Sequence, residues 1–187
     1  EPLFRSFLFV HALVPHHPWE LLPTGQHYEP AIEPTPGATR IGWGPDGWLV
    51  QQAMQRHLLN VGYADHALGM ILDELDAAGL FDEAMIVVVS DHGISIREDV
   101  ENQRGLDEDS IGEIAAVPML VKIPGVVGGK IDDRRALTID IVPTVADIMG
   151  VDLPWDPEGT SLLGPDPARE STSTKTKADP VTYGADG

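Results

Sequence analysis

Two side chains that commonly bind metal ions stand next to each other in the tetrapeptide Ser90-Asp91-His92-Gly93. The β-branched apolar run 85–89 comes directly before them and predicts a buried strand. A carboxylate and an imidazole at the carboxyl end of such a strand stand where ligands gather in open α/β sheets. Gly93 would let the backbone turn and approach a bound group closely. The alternative is a polar turn in which Asp91 caps the next element.

A second set of polar side chains follows the run 7–10, which predicts a first buried strand. His16 and His17 lie just beyond it, in a loop bounded by prolines. If both strands belong to one parallel sheet, this pair and Asp91-His92 face the same crevice. Imidazole and carboxylate suit zinc, manganese and other divalent cations, and a histidine beside a metal can hold a tetrahedral anion or protonate a leaving oxygen. The alternative for the histidine pair is a polar loop without a ligand.

Arginines in the loop after Asp91-His92 could bind an anion. Arg104 can clamp sulfate or phosphate oxygens with two hydrogen bonds, whereas we favour a surface salt bridge for Arg97. His57 and His66 lie on a predicted helix, and we interpret both as structural or surface residues.

A long helix and a second, shorter one are predicted to frame these loops. The long helix begins after Asp46, which can cap it, and ends near Gly79. Its apolar residues recur three or four positions apart and predict one buried face: Val50, Met54, Leu58, Val61, Leu68, Ile71 and Leu75. The second helix covers 138–149, with Pro143 in its first turn and Gly150 beyond its end.

The remaining elements are one strand, two loops and a tail. Residues 117–123 predict a third strand, and Pro118 fits only at its start or at a sheet edge. Residues 20–47 and 94–113 are expected to be loops. The order of strands and helices indicates an α/β domain with a mainly parallel sheet. From about residue 165 the composition is typical of a polar tail or linker.

Composition excludes several classes of partner. The chain has 187 residues, 42% of them hydrophobic, and no cysteine, so neither disulfides nor thiolate metal ligands are available. Its net charge of −18 argues against a nucleic-acid backbone or an anionic membrane surface as partner. No apolar stretch reaches the eighteen or so residues needed to span a bilayer. Neither a P-loop nor a Gly-x-Ser-x-Gly nucleophile motif occurs in the sequence.

Taken together, residues 4–163 resemble the sulfatase family of the alkaline-phosphatase superfamily. No single motif is decisive, and the resemblance depends on six segments in the family's order. These are Phe9-Val10-His11 with Pro15-His16-His17-Pro18-Trp19, Tyr63-Ala64-Asp65 with Leu68-Gly69, Leu75 to Gly79-Leu80, Ser90-Asp91-His92-Gly93, Val117-Pro118 with Pro124-Gly125, and Asp140 with Pro143-Thr144.

The resemblance implies roles for four residues. Asp91 and His92 match metal ligands of the family, and His16 matches the histidine that contacts the sulfate or phosphate group. The family often has a lysine before Val-Pro. This sequence has none there, so Arg104 is a possible substitute. The implied cofactor is a divalent metal ion, with calcium, manganese, zinc and magnesium all open, and the implied substrate is a sulfate or phosphate ester.

One departure from the family shapes the expected function. The family's nucleophile is a formylglycine made from Cys or Ser, or a Thr or Ser, in an N-terminal segment with Pro and Arg nearby. The sequence has no such segment, so we expect no catalytic nucleophile in it. We therefore expect 1–164 to be the C-terminal part of a sulfatase-like α/β domain with a partial alkaline-phosphatase-like fold, followed by a tail at 165–187.

Three functions stay open at this point. The first is part of a sulfate ester hydrolase that is inactive alone. The second is the phosphoryl-transfer branch of the superfamily, and the third is a binding or structural module with the same fold. Self-association through surface left exposed by an absent half is also expected.

Overall fold

The structure is a computed structural model that describes residues 6–28, 35–105, 109–167, 169, 171–175 and 180–184. The chain divides into two compact units. The helical unit comprises Leu8–Phe81 and Ile94–Gly105, and the sheet unit comprises Glu1–Phe7, Asp82–Gly93 and Leu106–Gly187.

Helix α1, Gly47–Ala77, is the long helix of the helical unit. Its ends are those that the sequence predicts. The Asp46 carboxylate accepts hydrogen bonds from the backbone N–H groups of Trp48 and Leu49, and Gly79 has a left-handed φ of 67° beyond the last turn. Within the described part of the chain no helix is long and apolar enough to cross a membrane.

The core of the helical unit lies at the N-terminal part of α1. Loop residues supply most of it, and the indole rings of Trp19 and Trp43 stack with their centroids 6.0 Å apart. The buried core residues are Trp19, Trp43, Val50, Ala53 and Ile96. Because the loops pack on this part of the helix, the predicted apolar face is only partly buried. Leu58, Val61 and Ile71 are exposed, which corrects that prediction.

The predicted strand at residues 7–10 is wrong for this structure. All four residues are exposed and lack strand structure, with Leu8 84% and Phe9 76% exposed. A strand is stabilised by backbone pairing with a neighbour, and none of the described strands pairs with this run.

A two-stranded antiparallel sheet opens the sheet unit. Strand β1, Ile86–Val89, pairs with β2, Met119–Lys122, so that Ile86 lies opposite Lys122 and Val89 opposite Met119. Both strands fall within predicted runs, but β1 is half-buried rather than buried.

The expected parallel pairing is not found among the described strands. The reason lies in the turn after β1, which contacts helix α2, Ile111–Ala115. The Gly93 N–H donates to the Ile114 carbonyl at 2.8 Å, so β2 starts at the end where β1 stops and must run back along it. Part of the segment predicted as a loop therefore forms α2.

A 3₁₀ turn, Thr138–Asp140, and helix α3, Ile141–Met149, confirm the second predicted helix. Pro143 lies in its first turn, and Gly150 ends it with a left-handed φ of 60°. Strands β3, Ser171–Lys175, and β4, Pro180–Gly184, form an antiparallel pair in the segment predicted as a tail or linker. The division of the chain at residue 164 stays a prediction.

Candidate functional site

Asp91 and His92 follow β1 directly and form the first candidate pair. The Asp91 side chain is 82% exposed, and its Oδ2 lies 3.7 Å from Nε2 of His92. The Oδ1 atom accepts a hydrogen bond from the backbone N–H of His92 at 2.9 Å, which fixes the carboxylate against its own turn. Two donor atoms of the kinds that divalent cations bind are therefore held beside each other at a strand end.

Hydrogen bonding also selects the tautomer of His92. Its Nδ1 lies 2.7 Å from the carbonyl oxygen of Gly93. Because a carbonyl only accepts, Nδ1 carries the proton, and Nε2 presents its lone pair on the side of Asp91. Ligating histidines are oriented in this way by a carbonyl on the other ring nitrogen, so the pair fits a metal ion.

Gly93 lies tightly against the protein's own backbone. A Cβ at this position would lie 1.9 Å from the carbonyl oxygen of Glu113 in α2. This contact gives a reason for glycine here in addition to the approach to a bound group, which stays a prediction.

His16 and Arg104 form the second candidate pair, within the helical unit. They are 88 residues apart in the sequence, yet Arg104 Nη2 and His16 Nε2 are 2.8 Å apart. His16 Nδ1 lies 2.6 Å from the carbonyl oxygen of His17 and donates to it, so Nε2 accepts from the guanidinium. Both side chains are exposed, and a cationic donor group thus stands beside a neutral imidazole.

The loop that carries His16 is anchored to the core by its neighbours. Trp19 is 3% exposed and donates from Nε1 to the Pro15 carbonyl at 2.9 Å. His17 is hydrogen-bonded through Nε2 to the Thr35 hydroxyl and meets the Trp19 ring edge-on. These contacts hold the backbone on both sides of His16.

The other candidates occupy structural positions. His57 packs on Trp19 with ring centroids 5.0 Å apart, and burial lowers the pKa of His57. Its Nδ1 is buried and has no hydrogen-bond partner in the described part of the chain. Arg97 donates from Nε to the Ser95 hydroxyl at 3.2 Å, and His66 is exposed on α1.

The sheet unit also holds a buried ion pair that the sequence does not predict. The Asp140 carboxylate is fully buried and is held by both terminal nitrogens of Arg169, at 2.7 and 2.8 Å. Burial alone would raise the pKa of Asp140, but hydrogen bonds from Arg169 and from the backbone of Leu137 and Thr160 hold that pKa below its usual range. No local pattern could reveal this pair, because its members are 29 residues apart.

Within the described ranges, no group of three or more His, Asp or Glu side chains is placed to hold a metal ion. Asp91 and His92 lie in the sheet unit, and His16 and Arg104 lie in the helical unit. The structure thus brings His16 to Arg104, and it holds Asp91 beside His92.

Comparison with known proteins identifies a family. The Sulfatase family model matches residues 5–151. Choline-sulfatase of Rhizobium meliloti strain 1021 is 27% identical over 87% of this chain and 35% of its own length. Lipoteichoic acid synthase of Staphylococcus saprophyticus is 29% identical over 89% of this chain and 24% of its own length.

A solved structure supports the fold. A protein in complex with its substrate D-glucosamine-2-N,6-O-disulfate matches with a TM-score of 0.57 and 25% identity, over 71% of this chain and 28% of that one. The partial alkaline-phosphatase-like α/β fold is thereby confirmed. The chain spans about a third or less of the length of these relatives.

Proposed function

The chain belongs to the sulfatase family, and from this premise we propose that it forms part of a metal-dependent hydrolase of sulfate esters. The observation that carries the proposal is the His16–Arg104 contact, which joins two distant segments at 2.8 Å in a chain of net charge −18. The substrate class is supported by choline-sulfatase among the relatives and by the sulfated glucosamine bound in the similar structure.

His16 and Arg104 are proposed to bind the sulfate group. A guanidinium carries five N–H donors in a planar fork, so donors besides the one that contacts His16 can reach sulfate oxygens. Protonated at Nε2, His16 would itself become a donor and could protonate the leaving oxygen.

Asp91 and His92 are proposed as two ligands of a divalent metal ion. The ion would neutralise negative charge on the substrate and activate the nucleophile. The Gly93 carbonyl would keep His92 in the tautomer that presents Nε2, and the His92 backbone would keep the carboxylate of Asp91 in place.

Catalysis is proposed to need residues beyond this chain. The sequence contains no segment that matches the family's nucleophile, and it covers 35% of the length of choline-sulfatase. The chain alone is therefore expected to bind anions and metal weakly and to hydrolyse no sulfate ester.

The second candidate function is the phosphoryl-transfer branch of the superfamily. The observation that favours it is the match to lipoteichoic acid synthase over 89% of this chain. A tetrahedral phosphate group offers His16 and Arg104 the same oxygen geometry as sulfate.

Sulfate titration followed by NMR of the His16 imidazole tests the anion site. The wild-type resonances should shift with millimolar sulfate, and Arg104→Ala should weaken binding at least fivefold. Arg40→Ala is the matched control, because it removes an equal charge from an exposed position in the same unit. Equal binding by the Arg104 and Arg40 variants would overturn the anion role.

Manganese and zinc titrations by calorimetry test the metal pair. We expect weak binding to this chain, lost in Asp91→Ala and kept in Asp73→Ala, which removes an exposed carboxylate from α1. Tight binding to the chain alone, or binding unchanged in Asp91→Ala, would contradict the proposed partial site.

A further inference from the structure

An open cleft of about 350 Å³ lies in the helical unit, where the loop 20–28 meets the N-terminal half of α1. Neither member of the His16–Arg104 pair lines it. Its lining residues are Leu22, Tyr28, Trp48, Gln52, Gln55, Arg56 and Leu59.

Trp48 is the most exposed of the apolar residues that line the cleft. The residue is 68% exposed although indole is among the largest apolar groups in proteins. The backbone N–H of Trp48 donates to Asp46 Oδ1 at 3.1 Å, which fixes the backbone of this residue in the first turn of α1. An exposed aromatic ring on a rigid helix turn is well suited to contact a ligand face.

Two amide side chains lie along the same helix face. Gln52 and Gln55 follow Trp48 by four and seven positions, a spacing that puts all three residues on one side of α1. Each amide offers both donors and an acceptor, which are the groups that hydroxyls pair with.

Arg56 of α1 and Tyr28 of the loop 20–28 line one wall of the cleft and contact each other. The Arg56 guanidinium carbon lies 5.4 Å from the centroid of the Tyr28 ring. The Tyr28 hydroxyl donates to the carbonyl of Trp19, which ties this wall to the buried core of the unit. Helix α1 and the anchored Tyr28 therefore hold lining residues of the cleft in place.

We propose that this cleft binds a neutral pyranose ring of a saccharide. A pyranose has a face of C–H groups and an edge of hydroxyls, and the cleft offers an indole face for the first and amides for the second. A purely apolar ligand would leave the amides of Gln52 and Gln55 without partners when it buried them. Its lining residues include neither His16 nor Arg104, so the proposal does not depend on the sulfate site.

Saturation-transfer NMR on the full chain, with cellobiose, maltose and lactose as probes, tests the proposal. We expect transfer to the ring C–H protons of at least one disaccharide, and at least a tenfold loss of affinity in Trp48→Ala. Trp155→Ala is the matched control, since Trp155 is 57% exposed outside the cleft and should leave binding unchanged. Gln52→Leu should leave α1 folded and should weaken binding of the same disaccharide.

Two further measurements distinguish saccharide binding in the cleft from sulfate binding and from a contact between two copies of the chain. Arg104→Ala should keep saccharide binding, so that failure of the sulfate site and failure of the cleft are distinguishable. Binding of none of the disaccharides, or equal losses in Trp48→Ala and Trp155→Ala, would overturn the proposal. So would sedimentation showing a dimer that Trp48→Ala dissociates, because a second copy would then be the occupant.

Discussion

His57 is a neutral histidine placed against an aromatic core. Burial lowers its pKa from 6.5, so the folded state takes up a proton only at lower pH than the unfolded state does. The unfolded state therefore gains protons first, and the free energy of unfolding falls as the pH drops below 6.5. Urea unfolding at pH 7.5 and 5.5 should show this loss.

The variant His57→Phe should remove that part of the pH dependence. Phe keeps a ring against Trp19 and deletes the buried Nδ1, which has no hydrogen-bond partner among the described residues, so stability at pH 7.5 should stay equal or rise by about 1 kcal/mol. His66→Phe on the exposed side of α1 is the control and should leave the pH dependence of the free energy of unfolding unchanged. If His57→Phe also left that pH dependence unchanged, His57 would not be its source.

Gly93 is constrained by the backbone of α2. Its Cβ would lie 1.9 Å from the Glu113 carbonyl, so Gly93→Ala must move α2 away from the turn after β1. We expect destabilisation of about 2–3 kcal/mol in urea unfolding. The control is Gly69→Ala in the interior of α1, where a Cβ meets nothing within 4 Å and stability should rise by about 0.5–1 kcal/mol. If Gly93→Ala left stability unchanged, the turn and α2 would not be in contact.

The candidate residues differ in how far the sequence could place them. Asp91 and His92 are adjacent and follow a strand, so a local pattern predicts both their position and their proximity. Arg104 and His16 meet through the folding of two loops, so residue chemistry could suggest an anion-binding role for each but not their contact. The tautomers of the two histidines depend on backbone carbonyls whose directions no sequence pattern contains.

At the scale of elements, the Arg169–Asp140 pair ties the segment after α3 to the 3₁₀ turn that precedes it. Arg169→Met leaves a buried carboxylate without its cation, and we expect a loss of about 3–5 kcal/mol at pH 7. Removing the arginine raises the pKa of Asp140 relative to its value in wild type, so the variant's deficit relative to wild type should shrink as the pH falls to 4.

Urea unfolding of both proteins at pH 7 and pH 4 measures this difference. Lys130→Ala is the control, since it breaks an ion pair with Asp132 in which the lysine side chain is 79% exposed, and should cost little stability. If Arg169→Met lost as little stability as Lys130→Ala, the Arg169–Asp140 pair would not hold the segment after α3.

Helix ends were predictable because their signals are local. Asp46, Gly79 and Gly150 each act within one turn, and all three cap as expected. Strand pairing was not predictable in the same way, because the direction of β2 is set by α2, a five-residue helix without an amphipathic repeat. The β3–β4 pair contains Thr and Val residues, which favour strands. The polar composition of the segment from about residue 165 instead led to its interpretation as a tail or linker.

At the scale of the whole molecule, two opposing properties govern association. The net charge of −18 makes copies of the chain repel each other. Against this, the later part of α1 presents an open apolar depression of about 470 Å³, lined by Ala67, Met70, Ile71, Glu74 and Leu75. Met70 and Ile71 are each 49% exposed, so the depression offers apolar surface that a second copy could cover.

Self-association through this depression should therefore appear when the repulsion is screened. Sedimentation velocity should show a larger mean mass as protein concentration rises, and more so in 0.5 M than in 0.05 M salt, because the Debye length falls from above 10 Å to a few ångströms. Ile71→Glu should return the chain to a monomer, since it buries an unpaired charge in any contact at that face. Val127→Glu adds the same charge at a 99% exposed turn position and should leave the association as it is. A monomer at all concentrations in high salt would exclude self-association, and equal effects of the two variants would attribute it to net charge rather than to the α1 face.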